Sequence, residues 1–355
     1  MRLLHTSTLT LVDTDPRSTP PYAILSHVWG KDERPRREGF DKVRQSCAVA
    51  AACKLDYIWI DTCCINKTSS AELSEAINSM FRWYRDAEVC FAYMADVPFN
   101  VYRDPGQAGV RDAHMFVSSR WFTRGWTLQE LLSPANVVFL DNKWNIIGTK
   151  SSLKETVADV TGIPSSILTG RASIGSASAA QRMSWASKRE TTRVEDTAYC
   201  LLGIFDIHMP LLYGEGDRAF IRLQEEIMRT SGDSSLFAWA SETETHDGLL
   251  ASSPAAFGLS SHIQPPPSFG FQVQDLNPDS FNFSVSGKGI HFSTFIHDLG
   301  GGSVLAVLDC TNGAIDGDAM FIAIPLKDTG FTRTNFVRGR HFQLCLVCND
   351  LLDRP

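Results

Sequence analysis

Short apolar runs alternate with segments of helical spacing over residues 1–140 of the chain. Near-continuous apolar runs are typical of strands buried on both faces, whereas apolar residues three and four positions apart indicate a helix. One helix is predicted over residues 40–54, and another begins at a capping box formed by Ser69 and Glu72. The predicted strands are residues 22–26, 57–60, 89–94 and 137–140. This alternation predicts an α/β fold with a parallel sheet and flanking helices.

The pattern changes twice farther along the chain. Residues 150–240 have mostly helical spacing, with Phe220, Leu223 and Ile227 on one face. Beyond them, short alternating runs are separated by Gly, Pro and Asp clusters, which is typical of antiparallel strands. The sequence therefore predicts an α/β domain over residues 1–149, a helical extension over 150–240 and a C-terminal antiparallel β module over 241–355.

Composition and charge limit the class of protein and its location. Hydrophobic residues make up 43% of the 355 residues and charged residues 21%, which is typical of a folded protein. A net charge of −7 without a basic stripe argues against binding of nucleic acid or a membrane surface. Because no signal peptide or membrane-spanning run is visible and the cysteines are scattered, we expect a cytoplasmic protein with reduced thiols.

Two cysteine pairs are candidate metal ligands because of their spacing. Cys345 and Cys348 have CxxC spacing, but no second ligand pair lies near them. Cys63 and Cys64 are adjacent, so in a strand their side chains face opposite ways. The sequence therefore predicts no metal site.

Candidate site residues cluster after the predicted strands. Ligands of open parallel sheets bind beyond the carboxyl ends of the strands. Trp126 and Glu130 are four residues apart and share a helix face, where an indole can stack on a cationic ring and a carboxylate can stabilise positive charge. The candidate site at this sheet edge comprises Glu130 and, as substrate-binding residues, Ser26, His27, Trp29, Asp61, Arg124 and Trp126.

Each candidate also has a purely structural interpretation. Ser26 and His27 suit a cap or a buried hydrogen-bonded pair, and Asp61 suits a cap of the next helix. Helical glutamates are mostly solvated, and a tryptophan beside two leucines is mostly core.

Cys63 with His27 would form a thiol nucleophile pair. The chain has neither GxxxxGK[ST] nor a strand followed by GxGxxG, which excludes the P-loop and standard dinucleotide folds.

Three blocks of sequence carry a family resemblance. They are residues 23–30 (AILSHVWG), 59–66 (WIDTCCIN) and 124–130 (RGWTLQE). In this order they resemble the signature blocks of the fungal heterokaryon incompatibility (HET) domain, and the resemblance continues to residues 209–216 (MPLLYGEG). It implies a role in non-self recognition after fusion of unlike fungal cells, with programmed cell death as the outcome. It also implies protein partners or self-assembly.

Residues 126–131 (WTLQEL) carry a second resemblance. They are similar to the catalytic segment of Toll/interleukin-1 receptor (TIR) domains, with Thr127 where those domains have cysteine. The resemblance implies a flavodoxin-like sheet, Glu130 as catalytic carboxylate, and NAD+ as a substrate to be cleaved rather than a cofactor. The alternative is a non-enzymatic TIR-like module that assembles and recruits partners, in which Trp126 is core and Glu130 is an interface or surface charge.

Overall fold

The structure, a computed structural model, describes residues 1–15, 17–28, 38–98, 110–241, 248–265, 282–286, 289–313, 320–329, 336–338 and 344–347. Its internal contacts divide the chain into two units. The first, the sheet unit, comprises Met1–Ser173, Arg189–Thr192 and Tyr199–Leu211. The second comprises Ile174–Lys188, Arg193–Ala198 and Leu212–Pro355. The boundaries predicted after residues 149 and 240 stay a prediction.

Seven strands of the sheet unit form one mixed sheet. They are β1 (Arg2–His5), β2 (Leu11–Asp13), β3 (Ala23–His27), β4 (Tyr57–Trp59), β5 (Val89–Tyr93), β6 (Val137–Leu140) and β7 (Ile146–Thr149). Their spatial order is β2-β1-β4-β3-β5-β6-β7. The central strands β4, β3, β5 and β6 are parallel, whereas β1, β2 and β7 are antiparallel additions at the two edges. The predicted parallel α/β sheet is therefore confirmed at its centre.

Burial explains which strands the sequence pattern revealed. In β3, Ala23, Ile24 and Leu25 are at most 1% exposed, so both faces of the strand need apolar side chains. The edge strands instead meet solvent: Leu11 of β2 is 45% exposed and Ile146 of β7 is 72% exposed. Short strands of this kind lack a continuous apolar run, and the pattern does not predict them.

Helices flank the parallel strands. Those of the sheet unit are α1 (Glu38–Ala52), α2 (Asp61–Cys64), α3 (Ser70–Arg85), α4 (Val110–Val117), α5 (Thr127–Leu132), α6 (Lys154–Thr161) and α7 (Ser165–Leu168). Helix α3 begins at Ser69, whose hydroxyl accepts a hydrogen bond from the Glu72 backbone N–H at 3.3 Å. The second half of the predicted capping box is not formed, because the Glu72 carboxylate instead accepts from the backbone N–H of Asn66 at 2.8 Å. The hydroxyl of Tyr84, on the buried face of α3, donates to the carbonyl of Leu25 at 3.1 Å and ties this helix to β3.

The later part of the chain is helical and then antiparallel, as predicted. Its helices are α8 (Ala179–Ser184), α9 (Asp196–Tyr199) and α10 (Arg218–Thr230). Its strands are β8 (Asn282–Ser286), β9 (Gly289–Ser293), β10 (Ile296–Gly300), β11 (Ser303–Thr311), β12 (Phe321–Asp328), β13 (Phe336–Arg338) and β14 (Cys345–Val347). All their pairings are antiparallel. Val307, Phe321, Ala323 and Val347 form a buried cluster between the longer strands.

Two further features concern membranes and metals. Within the described ranges, no helix combines the length and apolar character needed to cross a bilayer. The same ranges contain no group of three or more His, Cys, Asp or Glu side chains arranged to hold a metal ion. Cys345 lies in β14, while Cys348, its predicted CxxC partner, is outside the described residues.

Candidate functional site

A buried chain of hydrogen bonds joins β3 to α5. The indole Nε1–H of Trp121 donates to the hydroxyl of Ser26 at 2.8 Å, and that hydroxyl donates to Oε2 of Glu130. Ser26 is 0% exposed, Trp121 1% and Glu130 8%. We call these three residues the Glu130 network. Glu130 is therefore an interior carboxyl, and its interpretation as a solvated surface charge is wrong.

The position of Glu130 changes its acidity. Burial is the largest cause that raises its pKa to about 8, because a charged carboxylate loses its hydration. The nearby negative charge of Asp61 raises the pKa further. Hydrogen bonds from Ser26 and Tyr84 and the positive charge of Arg189 lower it and offset part of the effect. Glu130 is therefore mainly protonated at neutral pH and ionises near pH 8.

The Glu130 network lies at the switch point of the sheet. From β3 the chain passes through α1 to β4 on one side, then through α3 to β5 on the other side of β3. The parallel strands thus have the spatial order second, first, third, fourth, which is the flavodoxin-like order. Ser26 pairs in register with Ala92 near the carboxyl ends of the first and third strands. Ligands of doubly wound sheets bind in the crevice at this place.

A short turn before α5 positions Trp121. The Ser119 hydroxyl accepts a hydrogen bond from the Trp121 backbone N–H at 3.3 Å and donates to the Asp96 carboxylate at 2.7 Å. This contact starts the 3₁₀ turn Arg120–Thr123. The indole of Trp121 packs edge-on against Phe139 of β6, with 5.6 Å between the ring centroids. Its N–H is therefore held toward Ser26 by both backbone and packing.

Gly125 allows the start of α5 to approach a second backbone segment. Its N–H donates to the carbonyl of Glu190 at 2.9 Å. A Cβ atom at this position would lie 2.5 Å from Cγ2 of Thr191 and 3.1 Å from Sγ of Cys200. Only glycine fits without displacement of these atoms. This close approach explains the glycine in the third sequence block.

Lys150 closes the other end of α5. Its buried ammonium group donates to the carbonyl of Leu131 at 3.1 Å and to the carbonyl of Pro134. The last carbonyls of a helix have no partner within the helix, so a lysine here supplies the missing donors. Burial lowers the pKa of Lys150 to about 8.

Arg189 is a third support of α5. One of its terminal nitrogens donates to the carbonyl of Arg124 at 2.9 Å and to the hydroxyl of Thr127 at 3.0 Å. Burial lowers the pKa of this guanidinium to about 10. Its charge nevertheless lies close enough to Glu130 to lower the pKa of that carboxyl.

His27 and Asp61 form a second polar group at the same sheet edge. His27 Nδ1 lies 3.9 Å from Oδ1 of Asp61, and Lys67 Nζ lies 3.2 Å from Oδ2. Among the described residues, the buried Oδ1 of Asp61 receives no hydrogen bond. Because successive residues of a strand alternate, His27 faces away from Ser26. Ser26 and His27 therefore lie on opposite faces of β3, and Asp61, which lies beside His27, still acts on Glu130 through its charge.

The other predicted substrate-binding residues are more separated. Trp126 is half-buried at the start of α5, and the indole that joins the Glu130 network is that of Trp121. The Arg124 guanidinium donates to the hydroxyl of Thr192 at 3.1 Å. Trp29 lies outside the described residues.

Sequence reasoning did not assign site roles to Trp121, Tyr84 and Arg189. Trp121 and Ser26 are 95 positions apart. Tyr84 resembles any other apolar-face residue of α3, and Arg189 belongs to no sequence block. The one sequence feature that points to any of these three residues is the position of Trp121 just before the third sequence block.

Comparison with known proteins gives two family matches. Residues 22–100 match the model described as "Heterokaryon incompatibility protein (HET)", and residues 218–300 match the model described as "Domain of unknown function (DUF8212)". The chain is also 45% identical over 226 residues to "Vegetative incompatibility protein HET-E-1" of Podospora anserina. That alignment covers 60% of this chain and 16% of the relative.

No solved structure matches the chain. The HET match begins at Tyr22, immediately before β3, and includes β4 and β5, which are three of the four parallel strands at the site. The longer alignment to the incompatibility protein agrees with that assignment. The chain therefore contains a heterokaryon incompatibility (HET) domain.

Proposed function

We propose that this chain acts in vegetative incompatibility, in non-self recognition that ends in programmed cell death, and that its sheet unit cleaves NAD+. The HET match and the name of the Podospora anserina relative support the first part. The resemblance of residues 126–131 to TIR domains supports the second. The observation that carries the proposal is a buried carboxyl, Glu130, hydrogen-bonded to Ser26 at the switch point of a doubly wound sheet.

The proposed reaction breaks the bond between the nicotinamide nitrogen and C1′ of the ribose. The electron pair of that bond leaves with nicotinamide, and positive charge develops on the ribose as in glycoside hydrolysis. An ionised Glu130 stabilises this charge strongly because it is buried. A water molecule then adds to C1′, and the products are nicotinamide and ADP-ribose with release of one proton.

The raised pKa of Glu130 agrees with this role. The carboxyl is mainly protonated when the site is empty, because burial raises its pKa to about 8. A cationic nicotinamide ring beside it favours the ionised form and lowers that pKa. Glu130 therefore becomes charged when its substrate binds.

Ser26 and Asp61 supply the contacts that a ribose needs. The Ser26 hydroxyl orients Glu130, and a ribose hydroxyl can replace it as hydrogen-bond donor when the substrate enters. The Oδ1 atom of Asp61 is an acceptor without a donor among the described residues. We propose protein partners in the cytoplasm as the source of activation.

The same hydrogen bond also favours a second function. In this alternative the sheet unit assembles and recruits partners without any chemistry, and the bond between Ser26 and Glu130 only holds α5 against β3. The buried carboxyl then has a structural role only, because it keeps α5 in place in the unit that assembles.

Induced expression of the wild type and two variants separates the two functions. Glu130→Gln keeps the size of the side chain and an oxygen that accepts from Ser26, but it cannot ionise. Glu155→Gln is the matched control, because its carboxylate is 70% exposed. We expect the wild type and Glu155→Gln to lower cellular NAD+ and viability, and Glu130→Gln to leave both unchanged at equal abundance and melting temperature.

Two results would refute the enzymatic proposal. One is NAD+ loss by Glu130→Gln equal to that of the wild type. The other is death of cells expressing the wild type while their NAD+ stays constant, and this result supports the assembly function.

A further inference from the structure

Two adjacent cysteines lie together at the carboxyl end of β4. Cys63 and Cys64 are the last two residues of α2, and their sulfur atoms are 3.9 Å apart. Cys63 is half-buried, whereas Cys64 is 3% exposed. Both are free thiols. One sulfur of the pair is therefore accessible and the other is held behind it.

The helix explains this arrangement. A strand would place the two adjacent side chains on opposite faces. In a helix, successive residues are separated by about 100° of rotation, so neighbouring sulfurs can meet. The backbone N–H of Cys64 donates to the carbonyl of Ile60 at 2.8 Å, which fixes the turn.

The two thiols have different acidities. The pKa of Cys63 is lowered, chiefly because the Cys64 thiol donates a hydrogen bond to it, with the charge of Lys67 as a smaller cause. Burial and the negative charge of Asp61 oppose this lowering. The pKa of Cys64 is raised well above its ordinary value by the same hydrogen bond and by burial. Cys63 is therefore the more acidic thiol and the first nucleophile of the pair, whereas Cys64 holds its proton more strongly.

We propose that Cys63 and Cys64 form a site of reversible oxidation, in which a hydroperoxide converts the pair to a disulfide. With hydrogen peroxide, the Cys63 thiolate attacks one oxygen, the O–O bond breaks, and Cys63 becomes a sulfenic acid as hydroxide leaves. The Cys64 sulfur then attacks Sγ of Cys63. The S–S bond forms, the S–O bond breaks, and the oxygen leaves as water with the Cys64 proton. The hydroxide of the first step takes up the proton that Cys63 lost on ionising, so overall two thiols are oxidised and one hydrogen peroxide is reduced to two water molecules.

Oxidation of the pair acts on the neighbouring site through α2. A disulfide brings the two sulfurs from 3.9 Å to about 2.05 Å. The Cys64 sulfur then leaves its position beside the Ile60 backbone N–H, which is 3.3 Å away in the reduced structure. Asp61, whose charge raises the pKa of Glu130, is the first residue of the same four-residue helix.

Strain in the disulfide also favours its reduction. Adjacent Cα atoms are about 3.8 Å apart, which is closer than in most disulfides, and strained disulfides are the labile ones. The inference does not depend on NAD+ cleavage, because its readout is the state of two thiols.

Mass spectrometry of the purified full chain tests the proposal. Trypsin cuts after Arg44, Lys54 and Lys67, so residues 55–67 contain this pair alone and residues 45–54 contain Cys47 and Cys53. The native chain is treated with hydrogen peroxide, denatured, alkylated and digested. We expect the amount of the alkylated 55–67 peptide to fall at least about tenfold. A 55–67 peptide that is two hydrogens lighter than the unalkylated dithiol form should replace it, and dithiothreitol should reverse the change.

Variants identify the role of each sulfur. Cys64→Ser should stop the reaction at a Cys63 sulfenic acid that dimedone traps, and Cys63→Ser should leave Cys64 alkylatable. Cys53→Ser is the control, because Cys53 is exposed and lies outside this pair, and it should leave oxidation of the pair unchanged. The proposal is overturned if the wild-type 55–67 peptide stays alkylated at a peroxide dose that oxidises Cys53. This comparison uses only the wild-type chain, so it does not depend on whether a variant folds.

Discussion

The hydroxyl of Ser26 at the end of β3 donates a hydrogen bond to the buried carboxyl of Glu130 in α5. The two residues are 104 positions apart and belong to the first and third sequence blocks. Asp61 of the second block acts on the same carboxyl through its charge. The three blocks thus converge on one ionisable group, which gives a physical reason for their occurrence together.

Ser26 and Asp61 should shift the pKa of Glu130 in opposite directions. Ser26→Ala removes a hydrogen bond that lowers this pKa, so the pKa should rise above about 8. Asp61→Asn removes a negative charge that raises it, so the pKa should fall. Carbon-13 NMR of labelled glutamate carboxyls, with Glu130→Gln to assign the resonance, measures both shifts. Shifts of the same sign in the two variants would contradict the electrostatic account.

Stability should depend on the ionisation of Glu130. A free glutamate has a pKa of about 4.3, whereas burial raises the pKa of Glu130 to about 8 in the folded chain. Between these values the folded state binds more protons, so this group favours folding below pH ~4.3 and loses that contribution as the pH rises to about 8. Urea unfolding of the wild type and Glu130→Gln across this range should show the variant gaining relative stability with pH. Parallel curves would exclude a raised pKa.

Gly125→Ala should destabilise the sheet unit. The added methyl group meets Cγ2 of Thr191 at 2.5 Å, and forced packing of this kind costs about 1–3 kcal/mol. Gly232→Ala is the matched control, since no atom lies within 4 Å of its added Cβ. Urea midpoints measure both effects. An unchanged midpoint for Gly125→Ala would mean that the segment at Thr191 does not pack against α5 as described.

Lys150→Met should loosen the end of α5. The variant keeps the bulk of the side chain but removes the donor to the carbonyls of Leu131 and Pro134, and each buried acceptor left without a partner costs about 1–3 kcal/mol. Lys143→Met, at an exposed position, should change stability by less than about 0.5 kcal/mol. Hydrogen exchange should show faster opening of α5 in Lys150→Met alone. Equal hydrogen-exchange rates of α5 in both variants would show that Lys150 does not cap this helix.

The sequence predicts the centre of the sheet because strands buried on both faces require apolar runs. It also predicts that Ser26 and Glu130 lie at one sheet edge, since parallel strands end together. It cannot choose Trp121 over Trp126 as the indole of the network, because that choice depends on the turn that Ser119 starts. The need for glycine at position 125 arises from Thr191, which is distant in sequence.

The pairing of Cys63 with Cys64 illustrates a second limit. Residues 61–64 are too few to show a helical pattern of apolar positions, so the sequence does not reveal the four-residue helix α2. Only the turn of the backbone brings the two sulfurs together. The edge strands β2 and β7 are also not predicted, because strands that meet solvent lack the continuous apolar run of a strand buried on both faces.

Release of nicotinamide from NAD+ by the purified full chain is the most direct test of the role of Glu130. The account predicts that the wild type releases nicotinamide and that, at NAD+ concentrations well below KM, the rate increases as Glu130 of the free enzyme ionises, up to about pH 8. It predicts a rate for Glu130→Gln that is lower by about 100-fold or more at equal melting temperature. Equal rates in the two proteins, or intact NAD+ with folded wild-type chain, would contradict it.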